Sequence, residues 1–222
     1  MLIFVDKRLP AALKKSLNRF GETVDFFTEG IVYEAVSGHP DIFFHKSDDK
    51  IIYAPNTPVR YLKLLQQSEL NLICGEKPLG EKYPHTVLYN ALADDEKFYC
   101  NESHIDSSIK ELHAGKTLVN LKQGYVACNM ILGRNSVLSS DKGICKITGA
   151  AYFNPGKILL AGVKHGFIGG SCSIFKDKLL VNGSLKHSGD PAVLEKFAED
   201  NELEIIELYD GPLIDGGGLL LL

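Results

Sequence analysis

The chain has 222 residues, 45% of them hydrophobic and 23% charged, with a formal net charge of −4. That is a globular composition, and its slight acidity argues against nucleic acid or an anionic membrane as partner, since both select a basic face. The N-terminal MLIFVDKRL carries too short an apolar run for a signal peptide, and no stretch approaches a membrane span, so a cytoplasmic protein is expected. Five cysteines, an odd number without a CxxC pair, fit neither a disulfide framework nor a zinc cage and read as reduced thiols, mostly small core residues.

In chain order, LIFVD predicts a strand, followed by a helix with Leu9, Leu13, Leu17 and Phe20 on one stripe, then a strand at TVDFF. DIFFHK (41–46) turns at Ser47-Asp48-Asp49 into KIIYAPN. Thr57-Pro58 then opens a helix carrying Tyr61, Leu64 and Leu65, and NLICG closes the unit. HTVLYN (85–90) and EKFYCN predict the next hairpin, with a helix capped by Ser103 and a strand at KTLVNLK. GYVACNMILG and SVLSSD follow, then a helix through Ile144 and Ile147 and a strand at KILLAG (157–162). GGSCSIFK, KLLVNGS, a helix opened by Asp190-Pro191, and EIIELYD make the last full unit. LIDGGGLLLL is then a strand whose partner must be LIFVD at the other end of the chain.

Asp6, Asn56, Asn101, Asp141 and Asn182 close the second strand of each unit, 40 to 50 residues apart. A period of that size means an array of supersecondary units, none able to bury its apolar face alone. The expected architecture is α/β, one domain over residues 1–222, with five ββαβ units and a fifth blade made from both chain ends. The five polar residues have a local use as turn and cap acceptors.

GHPDIFFHKSDDKIIYAPN, QGYVACNMILGRNSVLSSD, GFIGGSCSIFKDKLLVNGS and DGPLIDGGGLLLL together resemble the pentein superfamily. That is the fivefold α/β propeller of guanidine-modifying enzymes, shared by a ribosome anti-association factor; the chain resembles an uncharacterised bacterial branch of it. The resemblance implies a central channel lined by the starts of the first strands. It also implies hydrolase or transferase chemistry on guanidino or amidino compounds, in which a Cys near the end of the last unit attacks the guanidinium carbon. Here Asp215-Gly216-Gly217-Gly218 leads into Leu219 instead, and GYVACN offers Cys128 and Asn129 where a His is expected, so the usual deiminase mechanism does not carry over.

The candidate catalytic residues are Cys128, His39, Asp41 and Cys172, with Lys122, Gln123, Tyr125, Asn129, Ser171, His165 and Asp215 as candidate substrate contacts. His39 and Asp41 either move a proton and bind a cation or order a turn around Pro40. Lys122 beside Cys128 can favour a thiolate. Strand alternation, however, sends Tyr125, Ala127 and Asn129 to one face and Cys128 to the other, which favours a core role for that cysteine. Gly169-Gly170 before Ser171 and Cys172 permits close approach of a ligand or of neighbouring backbone. Asp215 can accept from a guanidinium, and His165 is placed to reach the channel. The histidines form no HxH or HExxH pattern and GFIGGS is no dinucleotide fingerprint, so neither a metal nor a cofactor is assigned. Two readings of function remain: an enzyme without the usual terminal Cys acting on a small cationic or guanidino compound, or a non-catalytic protein that binds a metabolite, a protein or a ribosomal partner. The oligomeric state is open.

Overall fold

A computed structural model describes all 222 residues. It holds five three-stranded sheets, each an antiparallel pair with a third strand added in parallel. Phe44–Ser47 pairs with Lys50–Tyr53, which pairs with Asn71–Cys74. Leu92–Ala93, Lys97–Cys100 and Thr117–Asn120 repeat the arrangement, as do Met130–Leu132, Val137–Ser139 and Ala151–Tyr152. Cys172–Phe175, Lys178–Val181 and Glu204–Glu207 form the fourth sheet. The fifth joins the chain ends: Leu220–Leu221 runs antiparallel to Leu2–Asp6, with Phe4 opposite Leu220, and Glu22–Phe26 completes it in parallel. No helix is long and apolar enough to cross a membrane.

A helix links the second and third strand of each sheet because a parallel pair needs a crossover and an apolar stripe covers the sheet. Leu13 and Leu17 do this from Ala11–Leu17, and Leu194, Phe197 and Ala198 from Pro191–Asp200. The largest apolar cluster joins the terminal sheet to its neighbour through Phe4, Phe26, Phe43, Phe44 and Tyr61. The Phe26 ring lies 5.1 Å from Phe43 and 4.6 Å from Tyr61, centroid to centroid. Each such buried ring contributes about 1.5–3 kcal/mol of transfer free energy.

Several expected elements differ. HTVLYN is a run of turns, with Val87 N–H bonded to Pro84 and Asn90 N–H to Val87, and the strand begins only at Leu92. KILLAG is not the closing strand of the third sheet. Gly149, at φ 76°, ends the preceding helix and swings the chain directly into Ala151–Tyr152, while Leu159 bridges to Ile214. Asp106, not Ser103, caps the helix Ser107–Leu112, accepting from Ser108 N–H.

Three first strands start later than expected, because a four-residue helical turn precedes each: Pro40–Phe43, Val126–Asn129 and Ile168–Ser171. The strand-closing Asn and Asp residues also differ in register. The carbonyls of Phe43, Asn129 and Ser171 accept from Ala54, Ser140 and Asn182, so Asn182 sits at that bond, Asp141 one residue beyond it and Asn56 two.

Candidate functional site

The three helical turns and the two chain ends bring His39, Asp41, Cys128 and Asp215 into one polar hub. The turns are structurally equivalent, and their side chains divide the work. Asp41 corresponds to Ala127 and Gly169, and Cys128 to Ile42 and Gly170, as fixed by the first helical residue of each turn. A Cβ on Gly170 would overlap the Asp215 carboxylate, so the fourth unit gives up a side chain to make room for that acid. Gly217, at φ 70°, packs against His39 in the same way.

Cys128 Sγ donates to Asp41 Oδ2 at 2.9 Å. Asn90 holds both: its Nδ2 donates to Cys128 Sγ at 3.3 Å and to the Asp41 carbonyl at 3.1 Å, while its Oδ1 accepts from the N–H groups of Ala127 and Cys128. Asp215 accepts from Phe167 and Gly217 N–H. Asp6 is occupied differently, gripped by Arg8, whose guanidinium also donates to the carbonyls of Glu34 and Ala35.

His39 is 1% exposed, and neither ring nitrogen has a hydrogen-bond partner. Its Nδ1 lies 3.8 Å from Asp215 Oδ1 and its Nε2 3.9 Å from Asp6 Oδ2. Asp41 Oδ1 is also buried without a partner. Each unmatched buried polar group costs about 1–3 kcal/mol, so three of them in one place point to a ligand rather than to packing.

Burial pushes the Asp41 carboxyl up from 3.8 to about 7, against the opposing hydrogen bonds from Cys128 and Asn90. Burial also raises the Cys128 thiol well above its ordinary value, helped by the charges of Asp41 and Asp215. His39 is lowered by burial, with Asp215 and Asp6 pulling it back, and Asp215 is raised by burial. The resting hub therefore keeps a thiol and a neutral imidazole, and its guanidinium, Arg8, is engaged by Asp6.

The other anticipated residues have separate surroundings. Tyr125 borders the hub: its hydroxyl bonds Tyr33 at 3.1 Å and Thr86 at 2.6 Å. Gln123 braces the loop by bonding Asp141 and Tyr125 N–H, and Lys122 is exposed beside it in a cavity of about 420 Å³. Asn129 spends its side chain on the Tyr125 carbonyl and Ser140, and Ser171 bonds the Ile168 carbonyl. His165 contacts the neighbouring Gly166 carbonyl, and Cys172 sits in an apolar cluster where burial raises its thiol to about 12. Residues 126–129 are helical, so strand alternation does not apply, yet Cys128 does take the expected core position, 2% exposed in the largest apolar cluster, with its thiol facing Asp41.

Asn90, Asp6, Arg8 and Tyr33 were not singled out as site residues from the sequence. Asn90 stands just before a first strand, as Asp41 and Cys128 do, and that shared position was the one available signal.

Two cavities reach the hub. One of about 380 Å³ touches Asp41, Ala127, Gly169 and Gly217 together with His45, Lys46, Asp48, Cys172 and a largely apolar remainder, and one of about 190 Å³ touches Asp6, Arg8 and Asp215.

Residues 4–220 match a family of unknown function, DUF6873. The chain belongs to that family. No curated protein sequence matches it. Among solved structures it is similar to SxtG, an amidinotransferase from Microseira wollei in the saxitoxin biosynthetic pathway, with 13% identity and a TM-score of 0.51 over 92% of this chain and 87% of that one. At that identity the likeness shows a shared fold, which agrees with the five repeated sheets.

Proposed function

We propose that this DUF6873 protein is a single-domain pentein-like α/β propeller whose hub performs thiol chemistry on a small amidinium or guanidinium compound, with Cys128 as nucleophile. The observation that carries the reading is the convergence of Cys128, Asp41 and the unpartnered His39 beside Asp215. A planar cation lying between Asp41 and Asp215 meets two acceptors and sets a positive charge between the two acids. The same cation stabilises the Cys128 thiolate, which both acids oppose when the hub is unliganded.

In the proposed reaction Asp41 Oδ2 takes the Cys128 proton and Sγ forms a bond to the amidinium carbon. The carbon–nitrogen bond to the leaving amine then breaks, and the amine departs with that proton. The result is an S-amidino cysteine. Water or a second amine attacks it, His39 accepts the attacker's proton, and the thiol is regenerated; water makes the enzyme a hydrolase and an amine makes it a transferase. A cytoplasmic setting suits the five free thiols.

The 2% exposure of Cys128 favours a second reading, a binding protein that holds a cation without turnover. One experiment separates the two. The full chain is screened by thermal shift against arginine, agmatine and simple amidines, and the ligands that raise the unfolding temperature are assayed for amine release and for a Cys128 adduct by mass spectrometry. The enzymatic reading expects both a shift and an adduct. A shift without release or adduct leaves the binding protein, and no shift with any cation overturns both.

A further inference from the structure

We propose that His39, Asp41 and Cys128 form a site for a zinc-class divalent ion, with one imidazole nitrogen, one carboxylate oxygen and one thiolate as ligands. Their donor atoms all lie within 4.8 Å of one another. Ligands around a tetrahedral zinc ion, at bond lengths of about 2.0–2.3 Å, stand somewhat closer than that, so rotamer-scale movement closes the site. The three residues come from two chain segments 87 residues apart, Asp41 and Cys128 being hydrogen-bonded across them, which is why no ligand spacing shows in the sequence.

Independent features of the hub aim at the same ion. Both nitrogens of the buried His39 ring and the Oδ1 of Asp41 lack partners, and an ion satisfies two of these three atoms together. Whichever ring nitrogen binds, the other faces an acid, Asp215 beside Nδ1 or Asp6 beside Nε2. Such a carboxylate behind a metal-binding imidazole orients the ring and raises its basicity. Asn90, donating to Sγ, fixes the sulfur. A thiolate with an imidazole selects zinc-like ions over calcium or magnesium, and three protein ligands leave a fourth position for water or a small molecule.

In the binding step the Cys128 S–H bond breaks, a sulfur–metal bond forms and the proton leaves to solvent, with no change of oxidation state. The site is the one proposed above for amidines, and the metal assignment does not depend on that reading. Ion and organic cation compete for Cys128 and Asp41.

The test titrates the full chain with Zn²⁺ and, as a spectroscopic probe, Co²⁺. The expected result is one Co²⁺ per chain with a thiolate-to-cobalt charge-transfer band, proton release, displacement by Zn²⁺, and protection of Cys128 from iodoacetamide. Cys128→Ser should abolish the charge-transfer band and Cys172→Ser should retain it. Should Cys128→Ser fail to fold, His39→Gln must weaken Co²⁺ binding by about 10-fold or more. Absence of binding, binding without the band, or a band that survives in Cys128→Ser or is undiminished in His39→Gln overturns the proposal. The amidine thermal shifts are measured with chelator present, so either proposal can fail while the other stands.

Discussion

His39 and His45 are six residues apart and both buried, 1% and 3% exposed, in contrasting surroundings. His45 Nε2 meets His113 Nε2 at 2.8 Å, its ring stands edge-on to the His113 ring, and His113 stacks on Phe98. His39 has acids around it and no hydrogen bond to either ring nitrogen. In the pair the two facing Nε2 atoms satisfy each other while His113 Nδ1 stays unmatched, whereas the lone ring has neither nitrogen matched and stands between two acids. Burial by itself does not separate the two; the state of the nitrogens does.

The comparison can be tested by five measurements. Cys128→Ser has the largest expected effect: amine release from a turned-over amidine falls by about 1,000-fold or more, as for loss of a nucleophile, with a small change in unfolding temperature. His39→Gln is next, lowering the rate by about 100-fold or more, as expected of a general base, again without loss of stability, because no native hydrogen bond is removed. Equal losses of stability and activity in that variant would make His39 a structural residue like His45.

His45→Ala should act on stability. It leaves His113 Nε2 buried without its partner and opens a cavity, costing about 2–4 kcal/mol by denaturant unfolding. Replacing both rings, as His45→Phe with His113→Leu, removes the polar pair together and should cost less than His45→Ala alone.

The smallest effect is a pH dependence. Burial holds His45 down at about 3 and His113 at about 4, both below the ordinary 6.5, with their neighbours His113 and Lys116 adding to the respective shifts. Below pH 6.5 the unfolded chain therefore binds more protons than the folded one, so stability falls as pH drops from 6.5 toward 4 and is fully present above 6.5. The double variant should lose that part of the acid sensitivity. An identical pH profile in both proteins would remove the pair as its cause.

Much of the architecture was legible because it is local. Alternating apolar residues around Asp48-Asp49, Arg134-Asn135 and Lys176-Asp177 mark hairpins, and Asp48 and Lys176 do take left-handed backbone there. The helical turns at 40–43, 126–129 and 168–171 were not legible, since four residues give no periodicity, and reading them as strand gave Cys128 its core position without its contact to Asp41. KILLAG looks like a strand by composition and is displaced by a glycine-terminated helix that leaves Ala151–Tyr152 first in reach.

Asp41, Cys128, His39 and Asp215 were each visible as chemistry-bearing residues before their arrangement was known, whereas Asn90, which holds two of them, was hidden in a segment read as a strand. Sequence alone determined the five-part repeat and the pairing of the chain ends, because apolar periodicity and turn chemistry act over a few residues and are written in order along the chain. Tertiary structure decided which polar side chains meet. Groups 87 residues apart are brought within hydrogen-bonding distance by the packing of separate units, and the buried sites they fill gain their altered proton affinities from lost solvent, which no short stretch of sequence records.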